Sequence, residues 1–186
     1  TRRRSSVLCA VRLKSCAMFE FGNRVAVKVC GITNANDALA CAAAGVEMLG
    51  LNFSLQSSRY ISATTGTEII AAVRRSFRRT KFVGVFVNQE MEFVWKTFND
   101  LALDGVQLHG EESLEYVRDL DATFVIKALR VGPDYSESGA VEYKCDAILL
   151  DNWSARSPGG TGQAFPWSGA PALRPNGTRP LLAGRV

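Results

Sequence analysis

The sequence is poor in the residues that build metal centres and many cofactor sites. It contains a single histidine, and its five cysteines are scattered, with no CxxC pair and no Cys/His cluster of metal-ligand spacing. No GxSxG elbow accompanies the histidine, so a hydrolase triad has no support. An odd number of dispersed cysteines is typical of free thiols in a reducing compartment, and we therefore expect a cytoplasmic protein.

Long apolar runs and a basic surface are lacking as well. No apolar segment reaches the ~18 residues that span a bilayer, so no membrane partner is predicted. The chain has 22 Lys and Arg against 18 Asp and Glu, a net charge of +4, but the excess lies in residues 1–24 and 174–185. The middle of the chain is close to neutral, which argues against a nucleic-acid partner.

The first 24 residues differ from the rest of the 186-residue chain. They begin at Thr1 and read "TRRRSSVLCAVRLKSCA", which is rich in Arg and Ser and poor in acids. That composition is typical of a transit peptide, which would direct the protein to an organelle. The alternative, which we favour, is that Met18 is the true start. In both cases residues 1–24 are predicted to be a basic extension outside the core, and residues 25–186 one domain.

From residue 25 onward, short apolar runs alternate with segments of helical character. The runs are 25–30, 48–53, 82–87, 105–108, 124–129, 147–150 and 180–183. Helix signals appear in 34–45, 66–79, 89–105 and 111–120, for example Asn and Asp at the start of the first and Gly45 at its end. Near-continuous apolar strands alternating with helices predict a parallel sheet, either a barrel or a doubly wound sheet.

Polar residues at the strand ends favour the barrel. They follow six strands in succession: Cys30 and Gly31, Asn52, Asn88, His109 and Gly110, Lys127, and Asp151. A ring of such groups at the carboxyl ends of strands is the arrangement of a TIM barrel, where active sites occupy that mouth. A Rossmann sheet would need GxGxxG after its first strand, and the sequence has none there. The predicted fold is therefore an α/β TIM (β/α)8-type barrel.

Several motifs carry a family resemblance. In order along the chain they are "KVCGIT", "GLNFSLQSSRYIS", "VGVFVN", "VQLHG", "IKALR" and "LLDNWSARSPGGTGQAFPW". Between Val25 and about Trp167 the chain resembles the phosphoribosylanthranilate isomerase (TrpF) family of tryptophan biosynthesis. The resemblance implies a single barrel that converts N-(5-phosphoribosyl)anthranilate to 1-(2-carboxyphenylamino)-1-deoxyribulose 5-phosphate. It implies a small phosphorylated substrate, no cofactor and no metal, and a monomer or homodimer.

The resemblance also implies the two catalytic residues. In this Amadori rearrangement an acid protonates the ribose ring oxygen, and a base then removes a proton from C2. The family pattern assigns Cys30 as the general base and Asp151 as the general acid. An ordinary thiol is mostly protonated at neutral pH and an ordinary carboxyl group is ionised. The site must therefore favour a thiolate at Cys30 and keep a proton on Asp151.

Substrate-binding residues follow from the same comparison. Arg59 would hold the anthranilate carboxylate through its planar guanidinium, although a surface loop arginine is an equal alternative. His109 would orient substrate or line the mouth, or else make a structural hydrogen bond to a neighbouring strand. Gly159 and Gly160 belong to a Gly-rich loop that is either a lid or an ordinary connection. Gly184 would begin the phosphate site.

The sequence departs from the family pattern near residue 186. We predict about seven of the eight strands, and the chain is shorter than the ~200 residues that such barrels need. Arg185 stands where the family has a second glycine of the phosphate site. We therefore expect an incomplete barrel of weak or no isomerase activity, explained by a fragment, a frame error or completion by another copy.

Two other functions are compatible with the residues. Another phosphate-binding TIM barrel, such as an indole-glycerol-phosphate enzyme, would use a Lys/Glu acid–base pair, for which the strand ends offer Lys127 alone. The second alternative is a degenerate barrel fragment without catalysis, which would fail to bind substrate analogues even at high concentration.

Overall fold

The described part of the protein is built around a sheet of seven parallel strands. The structure is a computed structural model that describes residues 26–131, 137–152 and 179–182. The strands are β1 (Lys28–Cys30), β2 (Met48–Asn52), β3 (Lys81–Phe86), β4 (Gly105–Leu108), β5 (Val125–Val131), β6 (Ala147–Asn152) and β7 (Arg179–Leu182). Each of the seven predicted apolar runs overlaps one of these strands, with ends shifted by at most three residues.

Five helices connect the strands within the described residues. They are α1 (Ala35–Ala43), α2 (Ala63–Arg74), α3 (Met91–Asp100), α4 (Leu114–Asp119) and α5 (Glu137–Glu142). Asn34 caps α1, because its side chain accepts a hydrogen bond from the backbone N–H of Asp37. Ser62 caps α2 through Thr65 in the same way, so that α2 begins before the predicted segment at Gly66. Helix α5 lies where no helix was predicted.

The strand order identifies the architecture. The strands follow one another in the sheet as β1-β2-β3-β4-β5-β6-β7, and every neighbouring pair is parallel. A doubly wound sheet would reverse direction at a switch point, whereas a TIM barrel adds each strand beside the previous one. The prediction of an incomplete TIM-type barrel is therefore confirmed.

The sheet buries two apolar layers of different composition. The larger layer packs the helices onto the sheet and includes Leu51, Ile69, Phe82 and Val106. The second layer contains side chains from the opposite face of β2, β3, β5 and β6: Met48, Val83, Ile126, Ala128, Ala147 and Leu149, together with Phe124 just before β5. We call this opposite face the inner face, since it corresponds to the interior of a barrel. It is the face on which the candidate site lies.

Several predicted features lie outside the described residues. These are the basic extension 1–24, the Gly-rich loop with Gly159 and Gly160, and the phosphate-site residue Gly184. Within the described ranges, none of the helices combines the length and the apolar character that crossing a membrane requires. The three cysteines in these ranges, Cys30, Cys41 and Cys145, are free thiols.

Candidate active site

Cys30 and Asp151 lie on the same face of the sheet. Cys30 is the last residue of β1 and stands opposite Gly50, which stands opposite Val83 of the inner apolar layer. Asp151, in β6, is four residues after Ala147, which belongs to the same layer. Side chains alternate between the two faces of a strand, so both residues point to the inner face, near the carboxyl ends of their strands.

His109 binds Asp151 directly. It follows β4, and its Nε2 lies 3.1 Å from Oδ2 of Asp151 on β6, so that the contact passes over the intervening strand β5. The His109 and Asp151 side chains are 21% and 14% exposed. On its other side, Nδ1 of His109 lies 2.7 Å from Nε2 of Gln107. A substrate in the mouth could thus reach Asp151, while the imidazole keeps the carboxyl group in place.

Two proton arrangements are compatible with this chain of contacts. With Gln107 donating from Nε2, a neutral His109 carries its proton on Nε2 and donates it to Asp151. With the amide turned, Oε1 of Gln107 accepts from Nδ1–H, and Nε2 of His109 accepts from a protonated Asp151. Among the described residues Oε1 has no hydrogen-bond partner, although Gln107 is only 1% exposed. The orientation of the Gln107 amide and the nitrogen on which a neutral His109 carries its proton are therefore coupled.

Arg59 lies against the end of β1. Its Nη1 donates to the carbonyl oxygen of Cys30 at 3.3 Å, and its backbone N–H donates to Oγ of Ser57. Gly31 makes this position possible. Its φ is +82°, which glycine adopts readily, and a Cβ there would lie 2.4 Å from Cδ of Arg59. The sequence thus brings a guanidinium beside the thiol residue through a glycine that follows it directly.

Two of the predicted strand-end residues shape loops. Asn52 accepts a hydrogen bond from the Ser54 backbone and donates to Ser57. Asn88 has a positive φ of 50°, and its Oδ1 accepts from the backbone N–H of Glu111 at 2.6 Å. Their side chains are used to fold the connections after β2 and β3. They are polar at strand ends because tight turns need local acceptors there.

The sequence-based position of Lys127 was wrong. Lys127 lies at the third position of β5, opposite Leu108, and both point to the helix-covered side of the sheet. Its Nζ donates to the Gly110 carbonyl at 2.6 Å and to Oε2 of Glu112 at 2.8 Å, and its side chain is 1% exposed. A lysine buried and paired on that side does not reach the mouth, which removes the Lys/Glu acid–base set that an indole-glycerol-phosphate enzyme would require.

Gln107 was not predicted as a site residue, although the sequence contains a signal for it. Gln107 lies two residues before His109, and residues two apart on a strand face the same side. A polar residue at that spacing inside "VQLHG" breaks the apolar pattern of β4, where Val106 and Leu108 pack under the helices. A strand that is polar on one side and apolar on the other indicates a polar mouth.

The sequential parallel sheet, with ionisable side chains gathered at its carboxyl ends, defines an α/β protein of the TIM-barrel class. Residues 27–186 match the family model described as N-(5'phosphoribosyl)anthranilate (PRA) isomerase. The N-(5'-phosphoribosyl)anthranilate isomerase of Citrifermentans bemidjiense is 44% identical over 158 residues, which are 85% of this chain and 74% of the relative. This chain therefore belongs to the N-(5'-phosphoribosyl)anthranilate isomerase family.

Solved structures agree with that assignment. The crystal structure of phosphoribosyl anthranilate isomerase from Thermotoga maritima is similar with a TM-score of 0.76 and 35% identity, covering 88% of this chain and 78% of that one. The corresponding enzyme from Thermus thermophilus gives a TM-score of 0.76 at 32% identity, covering 87% and 78%. The similarity covers most of each molecule, so the sheet described above is the framework of these enzymes.

Proposed function

We propose that the protein isomerises N-(5'-phosphoribosyl)anthranilate to 1-(2-carboxyphenylamino)-1-deoxyribulose 5-phosphate, with Asp151 as acid and Cys30 as base. The main support is the contact of Asp151 with His109 on the face of the sheet that also carries Cys30. An acid held by an imidazole and a separate thiol on one face are the two groups that an aldose–ketose rearrangement needs.

The rearrangement proceeds in two proton transfers at these residues, followed by tautomerisation of an enol. Asp151 gives its proton to the ring oxygen while the bond from that oxygen to C1 breaks and the anilino nitrogen forms a double bond to C1. Cys30, as a thiolate, then removes the proton from C2, and the released electron pair forms the C1–C2 double bond and neutralises the nitrogen. In the resulting enol the hydroxyl group on C2 loses its proton while C1 gains one, which gives the C2 ketone product. His109 holds the Asp151 carboxyl group throughout the first transfer.

Binding of the substrate is assigned to Arg59 and three glycines. The guanidinium of Arg59, which donates to the Cys30 carbonyl, has further N–H groups to receive the anthranilate carboxylate. The backbone N–H group of Gly184, after β7, would receive the phosphate, since the loops after strands 7 and 8 of TIM barrels commonly do so. The loop with Gly159 and Gly160, after β6, would cover the bound substrate as a lid. No cofactor takes part in this scheme. All of these groups come from one chain, so the site suits a monomer or a homodimer, and we propose a cytoplasmic location.

Turnover of the phosphoribosylanthranilate by this chain tests the proposal. We expect Cys30→Ala and Asp151→Asn each to lower kcat by about 10²–10⁴-fold, the range for loss of a general acid or base. Cys41→Ala is the matched control, because Cys41 is a half-buried thiol on α1. Its activity should equal that of the parent chain. A Cys30→Ala or Asp151→Asn variant that keeps the turnover of the parent chain would refute the assignment.

A further inference from the structure

Lys28 and Cys30 share the inner side of β1. They are two residues apart on the strand, and both are half-buried. Lys28 stands opposite Met48 of the inner apolar layer, and Cys30 stands opposite Gly50. Alternation along the strand therefore directs the ammonium group and the thiol to the same side of the sheet.

The space beside Gly50 shows how close the Cys30 thiol and the Lys28 ammonium group are. A Cβ atom on Gly50 would lie 2.8 Å from Sγ of Cys30 and 2.9 Å from Nζ of Lys28. Both atoms thus occupy the space that a side chain of residue 50 would fill, and they are separated by less than ~6 Å. At that distance an opposite charge stabilises the ionised form of its neighbour.

We propose that Lys28 is a positioning residue that holds Cys30 as the thiolate which removes the C2 proton. The inference rests on the proposed function, because that function requires an ionised thiol. Lys28 itself carries out no step. Its ammonium group lies beside the sulfur and favours the negative charge before the proton is taken up.

The surroundings leave Lys28 as the ammonium group beside the thiol. Within residues 26–131, 137–152 and 179–182 it forms no salt bridge, so its charge is not committed to a carboxylate there. Two carboxylates on elements next to β1 are engaged elsewhere: Glu47 binds the Val27 N–H, and Asp37 binds the Asn34 side chain. A further carboxylate on the inner face, Asp151, is bound to His109 across the sheet.

A second cation contacts the backbone of Cys30. Arg59 binds the Cys30 carbonyl oxygen and is exposed, whereas Lys28 is half-buried on the inner face. An exposed guanidinium is screened by water and, in the proposed function, neutralised by the substrate carboxylate. Lys28 keeps its effect on the thiol when substrate is bound, because no part of the proposed chemistry uses its charge.

The pH dependence of alkylation at Cys30 tests the inference without any need for turnover. Iodoacetamide reacts with thiolates, and mass spectrometry of the Cys30 peptide separates this thiol from the other four. We expect Lys28→Met to move the midpoint of the Cys30 profile to higher pH and to lower the rate at pH 7 about tenfold, one pH unit of lost ionisation. Lys28→Arg, which keeps the charge, should restore most of the rate.

Two controls separate a local charge effect from general damage. Lys96→Met removes the same charge from an exposed position on α3, and it should leave the Cys30 profile unchanged. Cys41 in each sample should keep its own profile. If Lys28→Met fails to fold, Lys28→Gln provides the neutral variant.

Coincident Cys30 profiles in the parent chain and in a folded neutral variant would overturn the inference. Equal shifts after Lys28→Met and Lys96→Met would overturn it too. They would show that the Cys30 profile responds to the net charge of the protein and not to the position of Lys28. A shifted profile in a chain whose Cys30→Ala variant keeps the parent turnover would refute the proposed function and leave the charge effect of Lys28 on the thiol standing.

Discussion

At the scale of single residues, the backbone conformation of Gly31 and the position of the Arg59 side chain depend on each other. Gly31→Ala would force a side chain into a positive φ and into the space of Arg59. We expect a loss of ~1 kcal/mol or more in the free energy of unfolding, together with at least a tenfold rise in KM as the guanidinium is displaced. Denaturant unfolding and steady-state kinetics measure the two effects.

Gly45→Ala is the matched control for that substitution. Gly45 has a similar φ of +86°, but a Cβ there meets nothing within 4 Å. This variant should lose comparable stability from backbone strain and keep its KM. Equal KM values for the Gly31 and Gly45 variants would contradict the position we assign to Arg59.

Gln107 should control the proton position on His109. Because His109 is the only histidine in the chain, ¹⁵N-histidine labelling gives the NMR spectrum of one imidazole. We expect one tautomer to dominate in the parent chain, and Gln107→Leu to change the tautomer ratio and lower kcat about tenfold with little change in KM. Gln107→Glu, which offers acceptors only, should favour the Nδ1–H tautomer. An unchanged spectrum and unchanged kcat in Gln107→Leu would exclude this role.

Cys145 should make the fold sensitive to alkali. Burial raises the pKa of its thiol to about 11, against a usual value of 9.0. An acid whose folded pKa is raised contributes stability below the unfolded value and loses it as pH rises through the folded value. We therefore expect the free energy of unfolding to fall between about pH 9 and pH 11. Cys145→Ala should flatten that fall, and an identical slope in both proteins would rule out the thiol as the cause.

At the scale of elements, one carboxylate joins two connections and a strand. Glu112 accepts from the backbone N–H groups of Asn88 after β3 and Gly110 after β4, and it pairs with Lys127 of β5. Its side chain is 2% exposed and that of Lys127 is 1% exposed. Breaking a buried pair leaves an uncompensated charge, whereas removing both partners does not.

That difference gives a test by double-mutant cycle. We expect Glu112→Gln or Lys127→Met alone to lower the free energy of unfolding by ~3–5 kcal/mol. The double variant should lose clearly less than the sum of the two single losses. Denaturant unfolding of the four proteins measures the coupling. Strictly additive losses would show that the pair contributes nothing as a pair.

The elements also show how far the sequence could be read. Apolar runs predicted every strand of the described residues, because a strand buried on both sides has a strong local signal. The start of α2 was missed, since the two threonines after Ala63 are weak helix formers and the cap at Ser62 precedes all three residues. The side on which Lys127 lies was missed because it depends on the register with Leu108, which no local pattern records.

The residues of the candidate site could be predicted from the sequence to a similar extent. Cys30, Asp151, Arg59 and His109 were selected from motifs, and the structure places all four around the carboxyl ends of strands. The link between His109 and Asp151 passes over β5 and joins residues 42 positions apart. Sequence order contains no information on such a contact until the sheet is built. Local patterns therefore predict which groups take part, and the sheet decides which of them touch.

At the scale of the whole molecule, the sheet has a protected centre. Within the described residues β1 pairs only with β2, and β7 only with β6, while β2 to β6 have partners on both sides. We expect the backbone amides of β3 and β4 to exchange hydrogen more slowly than those of β1. Binding of a product analogue should slow exchange in β1 and leave α3 unchanged. Equal exchange in β1 and β4, or no response of β1, would contradict this view.

The order of the strands has a consequence for synthesis on the ribosome. Each strand needs only the one made just before it, so the sheet can grow in the direction of translation without waiting for distant segments. Cys30 is in the first described strand and Asp151 in the sixth. The thiol is therefore synthesised well before the carboxyl group. The two groups can act together only after most of the sheet has formed.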